Sequence, residues 1–323
     1  MNAAVVEAFD RPPRYTSFAD PVAEDGEVLI DVIGAALHPV VRALANGSHY
    51  GSTGKLQFVP GVDGVGRLQD GKRVYFGVMR PPFGTFAERA VTEPWLCLPL
   101  PETVDDVTVA AMMNPGMSSW AALTARAMFV AGESVLILGA TGVAGLLAVQ
   151  IARRLGAQRV IAAGRNPEAL KKTLELGADA VISLDQDREA LVDAFRQHLA
   201  ETKIDVVLDY LWGQPAECFL QAMLQKGLAH TSARLRYVEI GEGAGRTISL
   251  AGATLRSSGL EMLGSGFGSA SLEQIMQAVG EFLKEAAKAP VQIAVKGVPL
   301  REIESLWNEQ ERGVRLVFQT NNK

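Results

Sequence analysis

The chain has little cysteine: Cys97 and Cys218 are the only two in 323 residues. They stand far apart in sequence, which excludes a disulfide framework and a cysteine zinc cluster. It also lacks a dominant charge. Lys and Arg number 31 and Asp and Glu 36, a net charge of -5. Nothing in that balance suggests a nucleic-acid partner. The opening segment MNAAVVEAFDRPPR has no signal-peptide pattern, so a cytoplasmic protein is expected. The uncharged run Val135–Ala152 is long enough to suggest a membrane span, but it contains three glycines and changes from strand to helix character. It reads as a buried βα unit rather than a membrane span. Repeats and low-complexity tracts are absent. At 48% hydrophobic and 21% charged, the composition is that of a globular protein, long enough for two domains.

What is present is concentrated in residues 134–166, SVLILGATGVAGLLAVQIARRLGAQRVIAAGRN. Ser134–Leu138 is a short apolar run, the mark of a strand buried on both faces. The turn Gly139, Ala140, Thr141, Gly142, Val143, Ala144, Gly145 follows and contains A-x-G-x-x-G. Glycine lets the backbone turn sharply and approach a pyrophosphate, and the helix after it offers free N–H groups and the positive end of its dipole. The motif is weak alone and strong between a strand and a helix.

The second strand of the unit, Arg159–Ala163, ends in Gly164, Arg165 and Asn166. A unit selecting NAD usually carries Asp or Glu there, about 20 residues past the first glycine, bonded to the ribose 2′-hydroxyl. Here the acid is missing and a guanidinium stands in its place. That suits a 2′-phosphate, so the residues favour NADPH over NADH. The alternative is a solvated Arg165 and NADH.

Strand and helix alternate through the middle of the chain. Helices are expected near 167–176, 186–200, 214–225 and 271–287, and strands at Ala180–Ile182, Ile204–Tyr210, Arg236–Ile240 and Gly259–Leu263. The pattern is that of a doubly wound parallel α/β sheet. The first hundred or so residues read as all-β, with short alternating runs at Glu27–Val32, Val59–Leu68, Lys72–Tyr75 and Phe86–Val91. Strand character returns at Val291–Ile293 and Val314–Gln319. A β domain interrupted by a nucleotide domain is the economical arrangement, with residues 1–115 and 289–323 forming the first and 116–288 the second.

This layout resembles the medium-chain dehydrogenase/reductase superfamily, in its zinc-independent quinone oxidoreductase-like branch. Besides the cofactor turn, the resemblance rests on VPGVDGVG (Val59–Gly66), ANGSHY (Ala45–Tyr50), NPGMSSWAAL (Asn114–Leu123), LGAD (Leu176–Asp179) and GVRLVF (Gly313–Phe318). It implies a Rossmann domain joined to a GroES-like all-β catalytic domain, a homodimer paired through the edge strand Gly259–Leu263, and NADPH-dependent reduction of a small molecule. The ligand positions of zinc-dependent relatives match His38, Val62 and Asn114. Val62 cannot bind a metal and Asn114 is a poor zinc ligand, so no metal is expected. His38 then reads as a hydrogen-bonding pocket residue or a packed histidine, with metal ligation a distant third.

The resemblance makes Tyr50 the candidate proton donor or oxyanion partner, or else an aromatic cover over the pocket. Asn114, Ser118 and Ser119 head the helix entering the nucleotide domain, either contacting the nicotinamide half or acting as N-caps. Gly241, with Gly243 and Gly245, is expected against the nicotinamide end, and Arg315 near the cofactor. Asp63 either orients nearby polar groups or caps a turn among the glycines, the turn cap being favoured. Met79, Pro81, Pro82, Phe83 and Trp120 suggest an apolar pocket. Three readings of function stay open: a reductase of quinones or small α,β-unsaturated carbonyls, an enoyl-thioester reductase, and a cofactor-binding protein with little turnover.

Overall fold

A computed structural model describes residues 1–224, 232–309 and 313–320. Two compact units form, one from Met1–Asn114 with Leu283–Lys323 and the other from Pro115–Phe282.

In the first unit Asn2–Val5 (β1) pairs antiparallel with Arg14–Ser17 (β2). Val28–Ala36 (β3) runs into the short helix Pro39–Ala45 (α1), whose first turn is preceded by His38. Asp63–Leu68 (β4), Arg73–Gly77 (β5), Arg89–Thr92 (β6) and Cys97–Pro99 (β7) follow. The expected all-β segment therefore contains a helix. Its Pro39 stands at the start, where a missing N–H costs nothing. Strands β3 and β4 pack tightly because Gly66 has no side chain. A Cβ there would come within 2.4 Å of Ile30 Cγ2 and 2.7 Å of the Asp31 carbonyl.

The helix Asp106–Ala121 (α2) leads into the second unit. Asp105 starts it by accepting the Thr108 N–H and hydroxyl at 2.8 and 2.9 Å. Asn114, Ser118 and Ser119 therefore do not head this helix or cap it. They lie in its interior around Pro115, a residue that ordinarily signals a helix start.

The second unit runs Ser134–Leu138 (β8), Val143–Arg154 (α3), Arg159–Gly164 (β9), Pro167–Glu175 (α4), Ala180–Ser183 (β10), Arg188–Glu201 (α5), Val206–Asp209 (β11), Gly213–Ala222 (α6), Arg234–Glu239 (β12), Gly252–Arg256 (α7) and Gly259–Gly264 (β13). The expected end of α6 at Gln225 lies outside the described residues. The strands form a six-stranded parallel sheet in the order β10-β9-β8-β11-β12-β13. This is the doubly wound arrangement the alternation implied. Its strand order reverses between β8 and β11, so a crevice opens beyond their C-terminal ends. Every residue of β8 is buried, which is why that strand reads as an unbroken apolar run. One face of the sheet packs through Leu136, Ile161, Phe195, Phe219 and Tyr237.

Leu272–Lys288 (α8) returns the chain to the first unit, where Ala294–Pro299 (β14), Ile303–Leu306 (α9) and Val314–Gln319 (β15) complete it. The strand expected at Val291–Ile293 is displaced to β14. There its partner is β15, in parallel register from Ala294↔Val314 to Pro299↔Gln319. Strand β15 also pairs antiparallel with β3, which closes a seven-stranded sheet ordered β14-β15-β3-β4-β5-β7 with β6 beside β3.

One buried ion pair ties the parallel sheet to the segment before it. Arg236 on β12 is 2% exposed. Its Nη2 donates to Glu133 Oε1 at 2.5 Å and its Nη1 to the Ala127 carbonyl at 2.9 Å. Truncation removes the donor to Glu133 Oε1 and to the buried Ala127 carbonyl, while Glu133 Oε2 keeps the Val130 N–H at 2.9 Å. Arg236→Ala should lower unfolding stability by about 3 kcal/mol in a urea melt. A change below about 0.5 kcal/mol would show the pair to be dispensable.

Candidate functional site

The glycine turn of the second unit has the geometry of a dinucleotide cradle. Gly139 takes φ +90, which only glycine adopts without strain. Gly145 lies inside α3 against the turn, where a Cβ would sit 2.3 Å from the Gly139 carbonyl and 2.5 Å from Ala140 Cα. Gly142 precedes α3 in extended conformation and supplies no side-chain cap. The N–H groups of Val143, Ala144 and Gly145 thus face the turn as the free donors of a helix N-terminus. Thr141 packs against the end of β9, where a Cβ on Gly164 would meet its Cγ2 at 2.3 Å. Gly164 therefore keeps two neighbouring loops in contact.

Beyond Gly164 the two expected cofactor residues divide. Asn166 caps α4, its Oδ1 accepting the Ala169 N–H at 2.9 Å. Arg165 is exposed, and its side chain has no hydrogen bond or ion pair among the described residues. Its guanidinium is free for an anion at the C-terminal end of β9.

On the other side of the turn stand residues that the sequence reading did not single out. Asp209, fully buried at the end of β11, accepts the Leu211 and Trp212 N–H groups at 2.8 and 3.0 Å and the Tyr237 hydroxyl at 2.6 Å. Burial raises its pKa against these three bonds. Tyr210 lies beside Gly139, and its hydroxyl is 2.7 Å from Ser119 Oγ. Ser119 in turn donates to the Pro115 carbonyl at 3.2 Å, and Ser118 to the same carbonyl at 2.9 Å. Burial pushes the Tyr210 phenol up to about 12, so it stays protonated. Gly241 closes the same corner: its N–H reaches the Asp209 carbonyl at 3.2 Å, and a Cβ there would lie 3.2 Å from the Tyr210 carbonyl. The position of Asp209 at a strand C-terminus next to the switch point was a usable signal for this group.

The first unit holds a separate buried polar cluster. His38, 1% exposed, presents Nε2 to Asp63 Oδ1 at 3.4 Å, longer than a full hydrogen bond. Asp63 Oδ2 accepts the Tyr75 hydroxyl at 2.7 Å. Asp63 begins β4 and faces these polar side chains, so of its two readings the turn cap gives way to the orienting role. Arg315 Nη1 donates to the Leu37 carbonyl at 2.8 Å. Burial holds His38 below the usual histidine range. Asp63 opposes that shift and Arg315 adds to it, so the imidazole is neutral near pH 7. Burial also brings Arg315 down to about 10.

Tyr50 is not in this cluster. It is 73% exposed and stacks on His49 with ring centroids 4.2 Å apart. Asn114 is half-buried inside α2. Trp120 is a packing residue, buried and donating Nε1 to Glu281 Oε2 at 3.0 Å. Phe83 lies against Phe18 and under the Arg80 guanidinium.

Known proteins carry the same pattern. Residues 143–285 match a family model described as zinc-binding dehydrogenase. A protein of Emericella nidulans named as a probable NADPH-dependent quinone reductase is 27% identical, over 98% of this chain and 99% of its own length. The human quinone oxidoreductase is 31% identical over 65% of this chain and 66% of its own length. The crystal structure of the quinone oxidoreductase from Thermus thermophilus covers 99% of this chain and all of its own, 100%, at 26% identity and a TM-score of 0.79. With the doubly wound sheet, the glycine turn and the second, mixed-sheet unit, these likenesses agree on one assignment: the chain belongs to the medium-chain dehydrogenase/reductase superfamily, in its quinone oxidoreductase-like branch.

Proposed function

We propose that this chain is an NADPH-dependent oxidoreductase that delivers hydride, without zinc, to a quinone or a small α,β-unsaturated carbonyl compound. The observation that carries the cofactor choice is Arg165, a guanidinium without a partner among the described residues, just beyond the C-terminal end of β9 where an NAD-selecting unit places an acid. The chain's residues fit the dinucleotide. The start of α3 offers N–H groups to its pyrophosphate, Arg165 offers a fork to its 2′-phosphate, and Gly139 and Gly145 keep Cβ atoms out of the approach. NADPH, when bound, supplies the hydride. The names of the fungal and human relatives support a quinone as acceptor. The donor set at His38, Val62 and Asn114 supports chemistry without zinc, because valine has no ligand atom.

Arg165→Ala should weaken NADPH binding by roughly tenfold or more and leave NADH nearly unchanged, measured by fluorescence titration of both. Equal losses, or a wild type that prefers NADH, would remove the assignment. A turnover screen with NADPH against quinones, enones and crotonyl-CoA tests the acceptor. Activity on the first two that survives a chelator is the expected result. Preference for crotonyl-CoA would move the chain to the enoyl-thioester reductases, and no turnover at all would leave a binding protein.

The exposure of Tyr50 bears on the proton. An oxyanion partner acts most strongly where water is excluded, and this phenol stands mostly in water. We propose that solvent supplies the proton and that Tyr50 serves as an aromatic cover. Tyr50→Phe keeps the ring, so its hydride-transfer rate with an enone should stay within about threefold of wild type in stopped flow. A loss of about 10²-fold would make the hydroxyl a proton donor instead.

A further inference from the structure

A second charged feature lies on the same edge of the parallel sheet as Arg165, at its other half. A cavity of about 350 Å³ opens beyond the ends of β12 and β13, lined by Trp212, Glu239, Glu242, Met262, Leu263 and Gly264. Strand register explains the grouping. Glu239 is the last residue of β12, paired with Asp209 of β11 on one side and Gly264 of β13 on the other. The Glu239 side chain has no hydrogen bond or ion pair among the described residues. Glu242 is countered only by Arg246, at 3.8 Å, among the described residues. Trp212 stands at the entry to α6 with φ +53, a backbone conformation rare for a bulky side chain, and its ring meets Tyr237 edge-on at 6.2 Å. An aromatic wall beside two carboxylates is the chemistry that receives an organic cation.

The topology names that cation. In a doubly wound sheet the dinucleotide straddles the switch point, here between β8 and β11. The residue that reads the adenine ribose stands at the end of the second strand of the unit, which is the place of Arg165. The other half of the cofactor then extends over β11, β12 and β13, where the cavity lies. Hydride donation turns the neutral dihydronicotinamide ring into a pyridinium cation, the electron pair leaving with the hydride. Resting on the NADPH reading above, we propose that Trp212, Glu239 and Glu242 form a cation-receiving subsite. It binds the oxidised nicotinamide of NADP+ in preference to the neutral ring of NADPH. The subsite thereby favours the products of hydride donation over its reactants.

A pH dependence follows. Burial, then Asp209 and Glu242, hold the Glu239 carboxyl up at about 7. Also nearby are the Tyr237 phenol on its own strand, protonated throughout, Arg246 through Glu242, and Arg126, whose Nε donates to the Gly264 carbonyl at the cavity rim at 2.8 Å. A cation in the cavity pulls Glu239 back down, so NADP+ binding expels a proton. NADP+ affinity should therefore rise from about pH 6 to about pH 8, while NADPH affinity does not follow it.

The test is calorimetric titration of NADP+, NADPH and adenosine 2′,5′-bisphosphate into wild type, Glu239→Gln and Glu242→Gln. Each substitution should raise the Kd of NADP+ by about three- to tenfold and leave the other two ligands unchanged. A ratio of NADP+ to NADPH affinity that moves in neither variant, and in wild type does not change with pH, would overturn the subsite while leaving the cofactor reading intact. Failure of wild type to bind adenosine 2′,5′-bisphosphate and NADPH would overturn the cofactor reading itself. The wild-type pH series gives the answer even where a variant fails to fold.

Discussion

The close seating of α3 on the end of β8 is the contact from which the second unit takes its form. At Gly145 there is no room for a single carbon, because the Gly139 carbonyl and Ala140 Cα occupy its place. That approach brings the start of α3 to the sheet edge with its N–H groups uncapped and aimed at the crevice. The loops around it depend on the same economy of side chains. Thr141 fills the space left by Gly164, and Tyr210 and Leu211 lie against Gly139. A substitution at Gly139 or Gly145 would disturb packing and anion binding together, since one surface performs both.

On this frame the charges are sorted along the sheet edge. A cation, Arg165, stands at the end of β9. Carboxylates, Asp209 and Glu239, end the neighbouring strands β11 and β12. Asp209 is committed to structure by its three donors, whereas Glu239 keeps its carboxylate unpartnered among the described residues. One end suits a phosphate and the other a positive ring, which is the polarity of an oxidised dinucleotide. The first unit contributes a different kind of chemistry: a neutral buried imidazole beside a carboxylate whose other oxygen accepts from a phenol. The imidazole gains little from that carboxylate at 3.4 Å, and desolvation decides its charge.

The sequence made the βα core legible because parallel strands buried on both faces read as plain apolar runs and because glycine marks a turn that no other residue makes. Arg165 was legible for the same reason, since its place is set by its distance from the first glycine. Helix α2 was misread at its start, because Pro115 and the serines after it imitate a helix entrance while Asp105 performs the capping. Strand β14 was displaced because its residues alternate weakly and it is held by pairing with β15 rather than by its own pattern. Asp63 and Tyr75 meet across paired strands, and Asp209, Trp212 and Glu239 meet at strand ends. Such groupings depend on register, which spacing along the chain does not encode.

The most direct measurement uses NADPH carrying deuterium at both hydrogens of the carbon that gives up the hydride, with a simple enone as acceptor and chelator present. The account predicts one deuterium on the β-carbon of the saturated product for each turnover, with the remaining hydrogen taken from water. Product lacking the label, or reduction that stops when the chelator is added, would contradict it.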